Sequence, residues 1–228
     1  MKAVLYGIGV GPGDPELMTI KAVRLIKESD IIVVPGKEAK LSAAYTIAKG
    51  AYPDIDKKSI LAIDMPMTKD KEQLQESHKR GVEILVNLLS QEKQVAFLTL
   101  GDPSVYSTYM YLHYGVENAG YPAKIISGVT SFCAAAAALD MSLVEKSQML
   151  HVIPATYGIK ESLNYPGTKV FMKAGKKINE LKQELQHLKK EVKMVENCGM
   201  QNEKVYHSIE DIPEDAGYYS LLIVKEAE

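Results

Sequence analysis

The residues of this 228-residue chain whose types and spacing could do chemistry are two copies of Gly-Asp-Pro, each at the end of an apolar run. Gly13-Asp14-Pro15 follows Val4–Pro12, and Gly101-Asp102-Pro103 follows Val95–Leu100. A glycine lets a ligand lie against the backbone. The aspartate accepts hydrogen bonds from backbone N–H groups just ahead of it, and proline sets the first turn of a helix. Each copy therefore predicts a buried strand, a glycine turn and an Asp-capped helix with Pro at its first position. Turns of this kind at the carboxyl ends of strands are where open α/β sheets bind ligands. Ser127-Gly128-Val129 makes a third such turn ahead of an Ala-rich run, Ala134–Ala138. There the hydroxyls of Thr130 and Ser131 either cap the helix or reach a ligand.

Other constellations narrow the chemistry. Gly7-Ile8-Gly9-Val10-Gly11-Pro12 departs from the dinucleotide fingerprint. Proline fills its sixth position, and the second strand ends in Pro35-Gly36 rather than an acidic ribose ligand. Tyr106, Tyr109 and His113 are spaced to share one helix face. That face either stacks a flat aromatic ligand or lines a core or interface. Cys133 and Cys198 form no CxxC pair, and the five histidines show no HExxH-like spacing, so no protein-bound metal is predicted. The lysines from Lys169 to Lys193 either attract an acidic substrate or, being interleaved with Glu180, Glu184 and Glu191, form an ordinary solvated helix face, the reading the pattern favours.

The elements that must position these residues alternate strand and helix in the first half. Strands are predicted at Ala3–Val10, Asp30–Val34, Ile60–Ile63 and Val95–Leu100, with helices at Pro15–Ser29, Leu41–Gly50, Asp70–Gln91 and Val105–Ala119. After a short linker at Tyr121-Pro122, the second half opens with a strand at Ala123–Ile126 and a helix over Thr130–Leu139. Strands at Met149–Ile153, Val170–Met172, Val192–Glu196 and Tyr218–Val224, with one helix at Ile178–Leu188, predict a more antiparallel second domain. The boundary is placed near 119–123.

Composition excludes several classes. Apolar residues make up 46% and the net charge is −2. There is no basic excess for a nucleic-acid partner and no apolar run of about 18 residues for a membrane span. Met1 leads almost directly into a strand, without an Arg- or Ser-rich leader, so a cytoplasmic protein is expected.

Taken together, the motifs resemble the tetrapyrrole methylases that use S-adenosylmethionine. Within that family they look most like the branch that methylates C20 of precorrin-2 or cobalt-factor II in cobalamin biosynthesis. The resemblance runs through essentially the whole chain, at Gly7–Thr19, Phe97–Thr108, Gly128–Ala135, Phe171–Gly175 and Glu196–Met200. It implies an α/β protein of two αβα domains, over 1–119 and 123–228, with the active-site cleft between them and a homodimeric assembly. It implies that Leu100, Gly101, Asp102, Val105, Thr130, Ser131, Met172, Gly199 and Met200 contact S-adenosylmethionine. The tetrapyrrole is expected to meet Gly11, Asp14, Pro35 and Tyr106, with Arg24, Lys37 and Lys173 as candidates to guide its carboxylates. The implied reaction is in-line methyl transfer to carbon, which needs alignment more than side-chain chemistry. Asp102 either serves the donor or is consumed as a helix cap, and no general base is identified among Tyr106, His113 and water. Sister activities on the same fold remain open: another corrin-ring position, uroporphyrinogen III, or diphthine synthesis. A ligand-binding protein without turnover would lack transfer.

Overall fold

The computed structural model describes residues 3–68, 70–155 and 158–226. The chain divides into two compact units, Met1–Thr130 and Ser131–Glu228.

The first unit is built on five parallel strands: β1 (Leu5–Gly9), β2 (Ile31–Pro35), β3 (Ser59–Ile63), β4 (Val95–Thr99) and β5 (Ala123–Ile126), in the order β3-β2-β4-β1-β5. These are short runs of branched apolar residues, and β4 is buried throughout, as a strand covered on both faces must be. The crossovers from β1 to β2 and from β2 to β3 run one way across the sheet, while those from β3 to β4 and from β4 to β5 run the other way. With right-handed crossovers, this places helices on both faces. α1 (Ile20–Glu28) and α2 (Ala43–Ala51) pack Ala22, Ile26, Ile47 and Ala48 on Ile8, Ile32 and Leu98. α3 (Lys71–Ser90) and α4 (Tyr109–Asn118) pack Leu85, Leu89, Leu112 and Val116 on Leu5, Val33, Val95 and Phe97. The carboxylate of Asp70 caps α3, accepting from the N–H groups of Glu72 and Gln73 at 2.9 and 3.2 Å, a contribution of about 1 kcal/mol.

The second unit carries β6 (Leu150–Pro154), β7 (Thr168–Met172), β8 (Lys190–Glu196), β9 (Lys204–Tyr206) and β10 (Ser220–Glu226), in the order β6-β7-β10-β8-β9. Only β6 and β7 run parallel, so this sheet has the expected antiparallel character. α5 (Ser131–Ala138) covers one face through Ala135 and Ala136. α6 (Ile159–Ser162) and α7 (Ile178–Leu185) cover the other through Ile159, Ile178, Leu181 and Leu185. Each unit is thus an αβα layer structure.

Three expectations are corrected. Ala123–Ile126 does not open the second half; it pairs with β1 as the last strand of the first sheet. The helix expected over Pro15–Ser29 is broken. Asp14 binds the Glu16 N–H at 2.8 Å and closes a single 3-10 turn, Pro15–Leu17; Met18 is extended, and α1 starts afresh with Thr19 as its cap. The helix expected from Val105 begins only at Tyr109, because the chain from Leu100 to Thr108 is held as a loop by side-chain bonds and by Tyr106 at φ +49°.

Candidate functional site

The order β3-β2-β4-β1-β5 reverses direction between β1 and β4, so their carboxyl ends flank the crevice where such sheets take ligands. Both Gly-Asp-Pro turns emerge there. Gly11 and Gly101 form a backbone bridge, with the Gly101 N–H donating to the Gly11 carbonyl at 2.8 Å and the Gly11 N–H donating back at 3.3 Å. Gly128, in the turn after β5, joins them. A Cβ on Gly9 would lie 2.5 Å from the Gly101 oxygen and 2.7 Å from the Gly128 nitrogen. One on Gly128 would lie 2.2 Å from the same oxygen. Three turns from three strands therefore meet backbone against backbone at one corner, where no side chain fits between them.

Asp102 ties this corner together. Its buried carboxylate accepts from the Ser104 N–H at 2.8 Å and the Ser104 hydroxyl through Oδ1, and from the Gly128 N–H at 2.9 Å through Oδ2. The expectation that Asp102 caps a helix is therefore corrected, since no helix follows within reach and the carboxylate instead fastens the loop after β4 to the turn after β5. Thr99 Oγ1 and Ser107 Oγ, 3.0 Å apart, close the base of the same loop. Leu100 and Val105 are half-buried on this loop, beside the buried Gly101, whose backbone has open space where a side chain would stand.

The residues carried over for the tetrapyrrole lie on neighbouring loops of the unit. Gly11 is enclosed, Asp14 caps its 3-10 turn, and Pro35 ends β2 at the same edge of the sheet. The expected shared face of Tyr106, Tyr109 and His113 is not formed. Tyr106 stands half-exposed in the loop. Tyr109 is fully buried against Phe97, with its hydroxyl 3.1 Å from His113 Nδ1. Burial pushes the Tyr109 phenol well above the usual tyrosine range, with the Glu117 charge adding to it. Of the two readings of that aromatic face, core packing is the one Tyr109 and His113 satisfy.

Thr130 ends the first unit and Ser131 begins α5. Thr130 Oγ1 is buried and has no hydrogen-bond partner, so it does not cap α5. A buried hydroxyl without a partner costs free energy unless a ligand meets it. The open space beside the Gly101 backbone and this orphaned hydroxyl fit a polar ligand that approaches the backbone closely.

In the second unit, Met172 ends β7, and Gly199 and Met200 lie in the turn after β8. The strand ends are held in unusual backbone: Lys173, Asn197 and Gly199 have φ of +57°, +53° and +74°. Such conformations persist where surrounding structure enforces them and cluster at functional sites. Half-burial pulls the Lys173 ammonium below its usual range. Burial and the Glu203 carboxylate push the Cys198 thiol up to about 12, so it is no nucleophile at neutral pH. The sequence pattern places Glu196 at the end of a strand but gives no sign of its role: its buried carboxylate accepts from the Gly217 N–H at 2.7 Å and from the Tyr206 hydroxyl at 3.4 Å, and so anchors the turn ahead of β10. Among the described residues no cluster of three or more His, Cys, Asp or Glu could hold a metal ion, and no helix is long and apolar enough to cross a membrane.

Residues 4–213 match the family model of the tetrapyrrole (corrin/porphyrin) methylases. The chain is 37% identical over 177 residues to a Methanocaldococcus jannaschii protein named "Probable cobalt-precorrin-2 C(20)-methyltransferase", covering 77% of this chain and 74% of that one. It is 28% identical to the precorrin-2 C(20)-methyltransferase of a Sinorhizobium species, over 96% and 94% of the two chains. Among solved structures, a cobalt precorrin-4 methyltransferase superposes with a TM-score of 0.74 at 19% identity, over 98% of this chain and 94% of that one. The uroporphyrin-III C-methyltransferase of Thermus thermophilus, complexed with S-adenosylhomocysteine, superposes with a TM-score of 0.70 at 21% identity, over 98% and 97%. At these identities the structural likeness speaks for the fold.

Proposed function

The chain belongs to the tetrapyrrole (corrin/porphyrin) methylases, and from that premise we propose that it transfers a methyl group from S-adenosylmethionine to C20 of precorrin-2 or its cobalt-containing counterpart. The observation that carries this reading is the corner where Gly9, Gly101 and Gly128 meet and Asp102 fastens the turns, at the switch point of the first sheet. Leu100, Gly101, Asp102, Val105 and Thr130 of the first unit, with Ser131, Met172, Gly199 and Met200 of the second, are the proposed donor contacts. Gly11, Asp14, Pro35 and Tyr106 are the proposed contacts of the tetrapyrrole.

When bound, the donor supplies a methyl group on a sulfonium sulfur, open to displacement by an electron-rich carbon. The protein's part is positional. Asp102 has both carboxylate oxygens engaged by N–H and O–H donors, so it fixes the shape of the two turns. Thr130 Oγ1 offers a buried hydroxyl to a polar group of the donor. Alignment of this kind can remove on the order of 7–11 kcal/mol of barrier in the best intramolecular models. A homodimer working in the cytoplasm is part of the same proposal. Titration of S-adenosylhomocysteine by calorimetry tests the donor site: saturable binding to one site per chain is expected, and no binding would remove the reading.

A further inference from the structure

Two tyrosines stand side by side in the second unit, next to the strand ends that carry Met172 and Met200. Tyr218 and Tyr219 precede β10 and meet edge to face, with ring centroids 5.2 Å apart at 74°. Both are partly open to solvent, at 39% and 42%. Exposed tyrosines are ordinary; the position of these two is less so. The Tyr219 carbonyl accepts from the Asn197 N–H at 3.2 Å, and the Ser220 carbonyl accepts from the Ala174 N–H at 3.0 Å. The pair thus sits between the end of β7, with Met172 and Lys173, and the end of β8, with Asn197, Gly199 and Met200.

The turn that presents the tyrosines is fixed from three sides. Glu196 accepts the Gly217 N–H, the Ser220 hydroxyl donates to the Gly217 carbonyl at 2.8 Å, and Gly175 lies so close that a Cβ there would be 2.0 Å from the Gly217 oxygen. Aromatic rings on an immobile turn lose little entropy when a ligand stacks on them. Flat conjugated rings gain from such contact whatever their hydrogen-bonding edges.

We propose that Tyr218 and Tyr219 form a preorganised aromatic platform that stacks the flat conjugated ring of a bound reactant beside Met172 and Met200. This rests on the function proposed above, in which both reactants carry such a ring: the adenine of the donor and the conjugated tetrapyrrole.

The test titrates wild type, Tyr218→Leu, Tyr219→Leu and the double Phe variant with S-adenosylhomocysteine by calorimetry and, separately, with uroporphyrin III by its visible absorption. One ligand is expected to bind about tenfold more weakly to a Leu variant and near-normally to the Phe variant, because the ring and not the hydroxyl makes the contact. Whichever ligand is weakened identifies the ring. Both ligands binding the Leu variants within about twofold of wild type overturns the platform while leaving the proposed function intact. Wild type binding neither ligand overturns both. Nitration of wild type by tetranitromethane, mapped by mass spectrometry, needs no variant. Protection of Tyr218 or Tyr219 by one of the two ligands is expected, and equal nitration with and without each of them overturns the platform.

Discussion

The Asp102 carboxylate accepts the Gly128 backbone N–H at 2.9 Å, joining the loop after β4 to the turn after β5. Its other oxygen is taken by the Ser104 N–H and hydroxyl, so both oxygens act as acceptors from donors. Asparagine offers one acceptor and one donor, and must turn its NH2 toward one of those N–H groups. Asp102→Asn is expected to lose about 1–3 kcal/mol of stability, read from the urea midpoint, and to bind S-adenosylhomocysteine more weakly. Unchanged stability and affinity would show that the bridge does not hold the site.

Gly128→Ala tests the close approach itself. The new methyl would stand 2.2 Å from the Gly101 carbonyl oxygen, where backbone must move. A loss of about 1–3 kcal/mol is expected, together with loss of donor binding. Gly120→Ala is the control: its φ of +84° strains an alanine by about 1–2 kcal/mol, yet nothing lies near its Cβ. That variant should lose stability alone. Equal donor affinity in both variants would contradict the assignment of the glycine corner.

Thr130→Val removes a buried hydroxyl that has no partner in the protein. Replacing an unsatisfied buried group by an apolar one of the same shape is neutral or stabilising. Thermal melts without ligand should therefore be unchanged or higher, while affinity for S-adenosylhomocysteine falls. A variant that melts lower and binds normally would mean that the hydroxyl serves the fold.

Tyr109 gives a pH signature. Burial raises its phenol above the value of the unfolded chain. Above a pH of about 10 the unfolded state releases this proton and the native state keeps it, so unfolding gains and stability falls as pH rises. Below that pH the contribution is fully present. Urea unfolding at neutral and alkaline pH should show a smaller alkaline loss in Tyr109→Phe, which also forfeits about 1 kcal/mol for the His113 hydrogen bond at neutral pH. The loss should shrink rather than vanish, because Tyr45, Tyr206, Tyr218 and Tyr219 are raised as well. An identical pH profile in the variant would contradict the burial argument.

Much of this architecture is legible in the sequence because local signals carry it. Apolar runs mark β1, β2 and β4, and Asp70 marks the start of α3. What is not legible depends on contacts far apart in the chain. Whether Asp102 caps a helix or bridges to Gly128 is decided by the turn after β5, 26 residues on. The helical spacing of Tyr106, Tyr109 and His113 holds only if the helix reaches back to Tyr106, and the left-handed backbone at that residue ends it. The pairing of Ala123–Ile126 with β1 has no local mark. The anchoring role of Glu196 is silent for the same reason: its partner, Gly217, is 21 residues away. In the candidate site, the glycine turns could be found from composition and spacing, while the orphaned Thr130 hydroxyl could be found only from burial.

The most direct measurement is methyl transfer from S-adenosylmethionine, run in parallel on precorrin-2 and cobalt-factor II, with product masses and the methylated position read out. The account predicts one methyl added at C20 of at least one of them. No transfer to either, or transfer to another ring position, by a protein that binds S-adenosylhomocysteine would contradict it.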